Sequence, residues 1–290
     1  MPPSPSPLRG IALMLLAVGI FSVMDALVKL LAQSYHPFQV AFFRGLCAIL
    51  PIGIMIAAGG GPRLLATCRP LGHLLRSAVG VGALLLFFYA FAHMKLADVV
   101  AVSFAAPLFV TALSVPLLGE QVGWQRWSAV IAGFVGVVLV VDPGTVLDDP
   151  MALTALAASL FYSLSLIVIR RLATTESNAA IVFYYSLAVA LVCGAMLPFI
   201  WTAPTPLHLA LLVLVGLLGG TAQYVMVEAF RWASVSVLVP FEYSAILWSL
   251  VIGYVGFGET PDMQMLVGVA IIVASGLYIL HRETVRRPAS

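Results

Sequence analysis

The stretch VAFFRGL at positions 40–46 returns in similar form as IVFYYSL at positions 181–187. Two later pairs of short motifs repeat at nearly the same spacing: AF at 90–91 with AF at 229–230, and LGE at 118–120 with FGE at 257–259. Because the spacing is nearly constant along the chain, these matches indicate an internal duplication. We expect two repeats, residues 1–145 and 146–290, that together form one domain.

The composition of the chain is that of a membrane protein. Of its 290 residues, 62% are hydrophobic and 9% are charged, and the mean hydropathy is +1.10. About a quarter of the residues of an ordinary soluble domain are charged, so these side chains could not cover a soluble protein of this size. The composition excludes a soluble enzyme, a nucleic-acid-binding protein and a disordered chain. The net charge of +2 is too small to indicate polyanion binding.

Apolar windows of about 20 residues, the length that crosses a bilayer, recur ten times. Helix-breaking stretches such as GGGP at 59–62 and APTP at 203–206 separate them. The expected spans are 10–32, 38–58, 73–93, 98–118, 125–142, 151–171, 178–199, 207–229, 235–257 and 262–280. The sequence therefore predicts an all-α polytopic membrane protein with ten transmembrane helices, five in each repeat.

The basic residues divide unequally between the two sides of this map. If the N-terminus is cytoplasmic, all but three of the 14 Lys and Arg residues fall on the cytoplasmic side. The three exceptions are Lys29, Arg44 and Lys95. Cytoplasmic loops of membrane proteins carry such an excess of positive charge, so we expect a multi-pass protein of the inner (cytoplasmic) membrane with both termini in the cytoplasm.

An odd number of spans in each repeat means that the second repeat enters the membrane in the opposite sense from the first. Glu120 is then expected at the cytoplasmic end and Glu259 at the other end, each after a glycine in a hairpin. Inverted repeats related by an in-plane pseudo-two-fold axis are typical of alternating-access transporters. We interpret Glu120 and Glu259 as gate or hairpin-locking residues.

Four motifs resemble those of one transporter family: APLFVT at 106–111, LLGE at 117–120, GFVGV at 133–137 and VPFEY at 239–243. Together they are similar to the ten-helix EamA branch of the drug/metabolite transporter superfamily. The resemblance implies a central cavity lined by spans one, three, four, six, eight and nine, with spans five and ten at the periphery. It also points to the bacterial amino-acid exporters of that branch.

The expected partners are the lipid bilayer and a small amphipathic solute, because the candidate cavity is apolar and aromatic with few charges. Export of amino acids, aromatic or other bulky neutral ones, is the first interpretation. Uptake of a cofactor-like metabolite such as S-adenosylmethionine or riboflavin is an alternative, as is proton-linked efflux of organic cations. A membrane-embedded enzyme is the alternative class, but the sequence carries no catalytic motif and no P-loop. We expect no catalysis, cofactor, metal, ATP or nucleic acid.

Ionisable side chains inside spans are costly and therefore point to function. Asp25 and Lys29 lie four positions apart in span one, on one face of the helix. They could pair permanently, or they could exchange partners with a zwitterionic solute in the cavity. Arg44, near the start of span two, either reaches the membrane interface or contacts the solute.

The other cavity candidates are aromatic residues, polar residues and prolines of the inner spans: Phe88, Tyr89, Pro107, Tyr162, Ser163, Gln223, Tyr224, Glu228, Pro240, Glu242, Tyr243 and Trp248. Pro107 and Pro240 interrupt helical hydrogen bonding and can expose carbonyl groups. Glu228, Glu242 and His93 are candidates for proton coupling, since each can carry a proton within or beside the membrane. A structural role is the alternative for both glutamates.

Overall fold

The computed structural model describes residues 7–118, 124–141, 150–232, 238 and 241–285. Within these residues all regular structure is helical. The helices are α1 (Pro7–Leu31), α2 (Pro37–Gly59), α3 (Pro70–His93), α4 (Leu96–Ser103), α5 (Ala106–Leu118), α6 (Trp124–Val141), α7 (Pro150–Leu172), α8 (Asn178–Ile200), α9 (Pro206–Trp232), α10 (Ser244–Phe257) and α11 (Met263–Val285). A short 3-10 helix, Gly61–Leu65, lies between α2 and α3.

These helices confirm the predicted membrane fold. Seven helical segments of the described residues are long and apolar enough to cross a bilayer, and three shorter apolar helices accompany them. The shorter ones are Trp127–Val140, Ser244–Phe257 and Met263–Tyr278. The protein is therefore an all-α polytopic membrane protein, as the ten apolar windows predict.

Equivalent helices of the two repeats begin in the same way. His36 precedes α2 and accepts a hydrogen bond from the N–H of Phe38 at 3.4 Å. Ser177 precedes α8, and its hydroxyl oxygen accepts one from the N–H of Ala180 at 3.0 Å. Such caps satisfy donors that the first helical turn leaves without partners. His36 and Ser177 also align when VAFFRGL is placed on IVFYYSL, so the duplication extends to the capping positions.

Span four differs from the continuous helix that its apolar window predicts, because it is divided into α4 and α5. The N–H groups of Phe104 and Ala105 bond to carbonyls three residues earlier, on Ala101 at 3.2 Å and Val102 at 2.9 Å. Pro107 follows directly and has no N–H with which to continue the hydrogen bonding of α4. The proline therefore explains why the helix is interrupted at this point.

A serine of the second repeat contacts this interruption. The hydroxyl of Ser159 on α7 donates to the carbonyl of Val102 at 3.0 Å, and it also lies 2.9 Å from the carbonyl oxygen of Ala155 in its own helix. Ser159 is fully buried. The carbonyl of Val102 therefore accepts from both Ala105 and Ser159, and the bond from Ser159 joins α4 to α7.

The helix contacts are symmetric between the repeats. α1 packs along α9, and their counterparts α7 and α3 pack along each other. α2 packs against its own counterpart α8, and α6 against its counterpart α11. Gly136 and Gly268 let α6 and α11 approach closely, since a Cβ on Gly136 would lie 2.8 Å from the carbonyl oxygen of Gly268. Exchanging the two repeats therefore maps the main contacts onto one another.

Two ends of the bundle can be told apart by the contacts between α1 and α9. At the amino-terminal end, the guanidinium carbon of Arg9 lies 3.9 Å from the ring centroid of Trp232, the last residue of α9. At the opposite end, which we call the latch end, the hydroxyl of Tyr35 lies 2.8 Å from Nδ1 of His208 near the start of α9. α1 and α9 are therefore antiparallel.

The last turns of α5 and α10 lie at opposite ends of the bundle. Arg171, at the end of α7, donates a hydrogen bond to the carbonyl of Leu117 at the amino-terminal end. Glu259, after α10, pairs with Lys29 at the latch end. This arrangement is the one expected of inverted repeats. Glu120 itself lies outside the described residues.

Candidate solute-binding site

A cluster of charged and tyrosine side chains joins both repeats inside the bundle. We call it the central cluster, and its members are Asp25, Arg44, Arg76, Tyr162, Tyr185 and Glu242. They come from α1, α2, α3, α7, α8 and the segment directly before α10. Each member acts electrostatically on at least one other. The cluster therefore brings two positive and two negative side chains into one region.

Arg44 is the positive charge that acts on Asp25. Its side chain lies against Gly219 of α9, where a Cβ would be 3.7 Å from Nε of Arg44 and 3.1 Å from the sulfur of Met24. Both Asp25 and Arg44 are half-buried. Among the described residues neither forms an ion pair within 4.0 Å. Their charged groups attract each other across a gap.

Arg76 lies flat against Tyr185, with its guanidinium carbon 4.1 Å from the ring centroid. This is cation–π geometry. Gly80, one turn along α3, leaves the necessary space, because a Cβ there would overlap Nη1 of Arg76 and lie 2.9 Å from the Tyr185 ring. Arg76 lies in the second turn of α3, and its assignment to the cytoplasmic side stays a prediction. Its guanidinium lies between α3 and α8.

The contacts of Arg44 and Tyr185 are equivalent in the two repeats. These two residues align in the repeated motif that opens with Val40 and Ile181, and Gly80 and Gly219 align through the later AF pair. Arg44 packs at Gly219 across α2 and α9, whereas Tyr185 packs at Gly80 across α8 and α3. The two-fold relation between the repeats therefore passes through the central cluster. One repeat supplies an arginine at this place, and the other supplies a tyrosine that holds Arg76.

Tyr162 shows that the cluster faces accessible space. Its side chain acts on Glu242, Arg76 and Tyr185, which come from three other segments. The ring of Phe87 also approaches it edge-on at 6.4 Å. Even so, Tyr162 is 43% exposed. Part of the Tyr162 ring is therefore open, and we call the solute cavity that is expected beside it the chamber.

Three buried guanidinium nitrogens of the cluster have no hydrogen-bond partner among the described residues. They are Nε of Arg44 and both Nε and Nη1 of Arg76. A buried donor without an acceptor costs about 1–3 kcal/mol. Native proteins rarely leave such donors unsatisfied without a functional reason.

Lys29 pairs with Glu259 and not with Asp25 in this structure, so the permanent Asp25–Lys29 pair, one of the two alternatives, is not formed. Its Nζ lies 2.8 Å from Oε1 of Glu259 and donates to the carbonyl of Met94, while Oε2 of Glu259 accepts from the N–H of Leu96 at 2.8 Å. We call these contacts the latch. These contacts connect the hairpin after α10 to α1 and to the junction between α3 and α4. Lys29 is bound here and not by Asp25, because this place offers it both a carboxylate and a backbone carbonyl as acceptors.

Two predicted cavity residues are buried away from the chamber. Phe88 is 2% exposed and belongs to the hydrophobic core, while the neighbouring Tyr89 is exposed and packs on His93 with ring centroids 4.4 Å apart. Ser163 is fully buried and donates to the carbonyl of Leu160 in its own helix at 2.7 Å. Neither side chain is accessible in this structure, and both stay predictions as solute contacts.

The three candidates for proton coupling lie at different levels of the bundle. Glu228 is near the amino-terminal end, where its carboxylate accepts from the indole N–H of Trp232 at 3.1 Å. His93 is exposed near the latch end, with Nδ1 2.8 Å from the carbonyl oxygen of Tyr89. Glu242 belongs to the central cluster. Of the three, Glu242 is the one that shares the region of Asp25, Arg44 and Arg76.

Tyr243 and Trp248 connect helices around the chamber. The Tyr243 ring stacks on Phe104 with centroids 4.6 Å apart, and its hydroxyl lies against Gly276 of α11. Trp248 lies on Gly19 of α1, where an added Cβ would be 3.6 Å from the indole ring. Tyr243 therefore points towards the outer helix α11, whereas Trp248 covers α1.

The remaining sequence candidates stay predictions. Gln223 is half-buried and Tyr224 is exposed on α9. In the part of the chain that the structure describes, no contact joins either of them to the central cluster. Pro240 and the side chain of Pro107 lie outside the described residues.

Sequence reasoning missed Arg76 and Tyr185 as site residues. Tyr185 stands opposite Arg44 in the repeated motif, and Gly80 stands opposite Gly219 when the two AF motifs are aligned. These two alignments together would have placed Arg76, one turn before Gly80, beside the site. Among the described residues, no group of three His, Cys, Asp or Glu side chains could hold a metal ion.

Comparison with known proteins agrees with this architecture. The S-adenosylmethionine uptake transporter of Rickettsia prowazekii is 30% identical over 285 residues, which cover 95% of this chain and 94% of that protein. The pseudopaline exporter CntI of Pseudomonas aeruginosa is 28% identical over 92% of this chain and 94% of that protein. A crystal structure with 17% sequence identity shares the fold, with a TM-score of 0.67 over 97% of this chain and 98% of that chain. The EamA-like transporter family matches residues 8–142 and again residues 149–280, and the chain, a membrane transporter, therefore belongs to this family.

Proposed function

We propose that the protein is a secondary transporter of S-adenosylmethionine. The observation that carries this proposal is the central cluster, which contains the carboxyl groups of Asp25 and Glu242 and the partly exposed ring of Tyr162. S-adenosylmethionine bears cationic sulfonium and ammonium groups and an aromatic adenine. Carboxylates attract the cations, and aromatic rings stack with adenine and bind cations through their faces. The similarity to the Rickettsia transporter supports the same solute.

The duplication supplies a mechanism for moving the solute. Two inverted five-helix repeats, residues 1–145 and 146–290, would exchange poses and open the chamber to alternate sides. With both termini in the cytoplasm of a bacterial inner membrane, the latch end faces outwards. The latch then closes the outer side in this conformation. Glu242 is the candidate for proton coupling, because it is the candidate that lies in the chamber.

Export of amino acids is the second candidate function. The cluster contains charges of both signs, and an α-amino acid offers an ammonium and a carboxylate together. Riboflavin has neither group, so the cluster favours it less. S-adenosylmethionine carries the same ammonium and carboxylate groups as an amino acid. The two solutes differ in the group that the aromatic side chains of the cluster would contact.

Counterflow in proteoliposomes tests the proposal. Vesicles loaded with unlabelled S-adenosylmethionine should accumulate the labelled compound without ATP, and excess aromatic amino acids or riboflavin should compete weakly. Asp25→Asn and Glu242→Gln should each reduce uptake about tenfold or more, since each removes a charge that meets the cation. Arg63→Gln, which changes an exposed residue of the short 3-10 helix, is the control. Counterflow of amino acids but not of S-adenosylmethionine would favour the second candidate.

A further inference from the structure

We infer that Arg44 and Arg76 together form the binding site for the carboxylate of the transported solute. The inference rests on the proposed function, because it assigns one end of an S-adenosylmethionine molecule to named residues. It adds the orientation of the solute, which the acidic and aromatic residues of the central cluster do not specify by themselves.

The first support is the set of unsatisfied donors. Nε of Arg44 and Nε and Nη1 of Arg76 are buried without acceptors among the described residues, and a guanidinium cannot relieve this by losing its proton. A carboxylate has two oxygens and about four acceptor sites, and the planar guanidinium matches it in a two-point contact. These nitrogens are enclosed in this conformation, so a carboxylate would reach them when the proposed exchange of poses opens the cluster.

The second support is the charge balance between the two arginines. Arg44 and Arg76 are close enough to act on each other electrostatically, and two positive charges repel. Neither is neutralised by contact, since no described residue forms an ion pair within 4.0 Å of either. An anion bound between them would convert this repulsion into two attractions.

The third support is that both side chains are held in place. Gly80 leaves the space that Arg76 occupies, because a Cβ there would overlap Nη1, and the equivalent glycine of the other repeat, Gly219, lies against Arg44. Tyr185 supports the flat face of Arg76 at 4.1 Å. Binding a carboxylate therefore requires little reordering of side chains, which reduces the entropic cost of binding.

The other cluster members then determine the direction of the solute. With the carboxylate at Arg44 and Arg76, the ammonium group lies near Asp25, which faces Arg44. The sulfonium and adenine extend towards Tyr162 and Glu242, which act on each other. Every charged group of the solute then has an opposite charge in the cluster.

The test compares S-adenosylmethionine with decarboxylated S-adenosylmethionine, which keeps the sulfonium, the amine and the adenine. In counterflow, the wild type should prefer the carboxylated compound by about ten- to hundredfold, because hydrogen bonds to charged groups have this strength. Arg76→Gln and Arg44→Gln should lose most of this preference and still transport the decarboxylated compound. That residual transport shows that the variants are folded. Arg76→Lys, which keeps the charge but loses the two-point geometry, should have an intermediate preference.

The outcomes separate the inference from the proposed function. If the wild type transports both compounds equally, or if the arginine variants keep the wild-type preference, the carboxylate site is refuted while the proposed function stands. If the wild type transports neither compound, the proposed function is refuted. In that case the site is decided by thermal stabilisation of the purified protein with methionine and with methionine amide. Equal stabilisation by the two would overturn the inference, and stabilisation by methionine alone would support it.

Discussion

Phe104 stacks on Tyr243 with ring centroids 4.6 Å apart and ring planes 23° apart, and the two residues occupy equivalent positions of the two repeats. Phe104 lies at the interruption between α4 and α5, and Tyr243 directly precedes α10. The fourth span of each repeat therefore meets its counterpart through this stack. A contact between equivalent residues is preserved when the repeats exchange poses, so it can support both conformations.

The first prediction concerns this stack. Tyr243→Ala should lower the free energy of unfolding in detergent by about 2–4 kcal/mol, because it removes a large packed ring and its aromatic pairing. Tyr243→Phe keeps the ring and should cost less than about 1 kcal/mol. Denaturant unfolding measures both variants. Equal losses would instead indicate that the hydroxyl against Gly276 carries the stabilisation.

The second prediction concerns the latch. Glu259→Gln weakens the bond to Lys29 and should make the latch end open more often. The test uses a protein without its native cysteines that carries one new cysteine at the buried position Ala97, behind Glu259. In Glu259→Gln this cysteine should react with an impermeant maleimide about tenfold faster. A tenfold change corresponds to the loss of about 1.4 kcal/mol of coupling between Glu259 and Lys29. Lys95→Gln, a charge change at the same end, is the control. An unchanged rate in Glu259→Gln would show that the latch does not restrict access.

The third prediction uses two glycines as a matched pair. Gly80→Ala should raise the KM for S-adenosylmethionine about tenfold, because the new methyl group displaces Arg76 from Tyr185, and such overpacking costs about 1–3 kcal/mol. Gly53→Ala meets no atom within 4 Å and should leave transport unchanged while stabilising α2 by about 0.5–1 kcal/mol. Transport assays and unfolding curves measure the two effects. Normal transport in Gly80→Ala would contradict the assignment of Arg76 to the solute-binding site.

The fourth prediction concerns acid pH at the amino-terminal end. Burial by itself raises the pKa of Glu176, but hydrogen bonds from the N–H of Cys68 and from Thr67 and His73 outweigh it, so the pKa of Glu176 lies below its ordinary value of 4.5. The carboxylate oxygens lie 3.0 Å from the Cys68 nitrogen and 3.3 Å from Nε2 of His73. A lowered folded-state pKa gives stability that is present above pH 4.5 and is lost as the pH falls through the folded value.

Glu176→Gln should therefore unfold at a lower temperature than the wild type at pH 7, and the difference should shrink as the pH falls below about 4.5. Scans of unfolding temperature against pH measure this. Thr174→Ala, a change at a neighbouring exposed loop residue, is the control. A difference that grows in acid would contradict the assignment.

The fifth prediction compares two buried serines of α7. Ser159→Ala should destabilise the protein by about 0.5–1.5 kcal/mol, because the carbonyl of Val102 loses a donor from another helix. Ser163→Ala should cost less, because that hydroxyl bonds only within its own helix among the contacts described. Unfolding in detergent measures both. A larger loss for Ser163 would mean that the α4–α7 bond is unimportant.

The fold followed from the sequence because apolar windows of membrane length and an evenly spaced repeat are patterns that the residues show directly. The predicted span 178–199, for example, is the helix Asn178–Ile200. The partners of charged side chains did not follow in the same way. Spacing alone suggested that Lys29 pairs with Asp25, but its partner Glu259 belongs to the other repeat and is adjacent only in space. Similarly, Arg76 belongs to the site only because Gly80 and Tyr185 meet across two helices.

The difference between Arg44 and Tyr185 has a consequence for how the molecule must be encoded. Two identical five-helix subunits would carry the same residue at both places, giving either two arginines or two tyrosines around the chamber. Joining the halves in a single polypeptide removes that restriction, so one half can be cationic where the other is aromatic. A nearly symmetric protein can then bind an asymmetric solute, with a carboxylate at one end, in a single orientation.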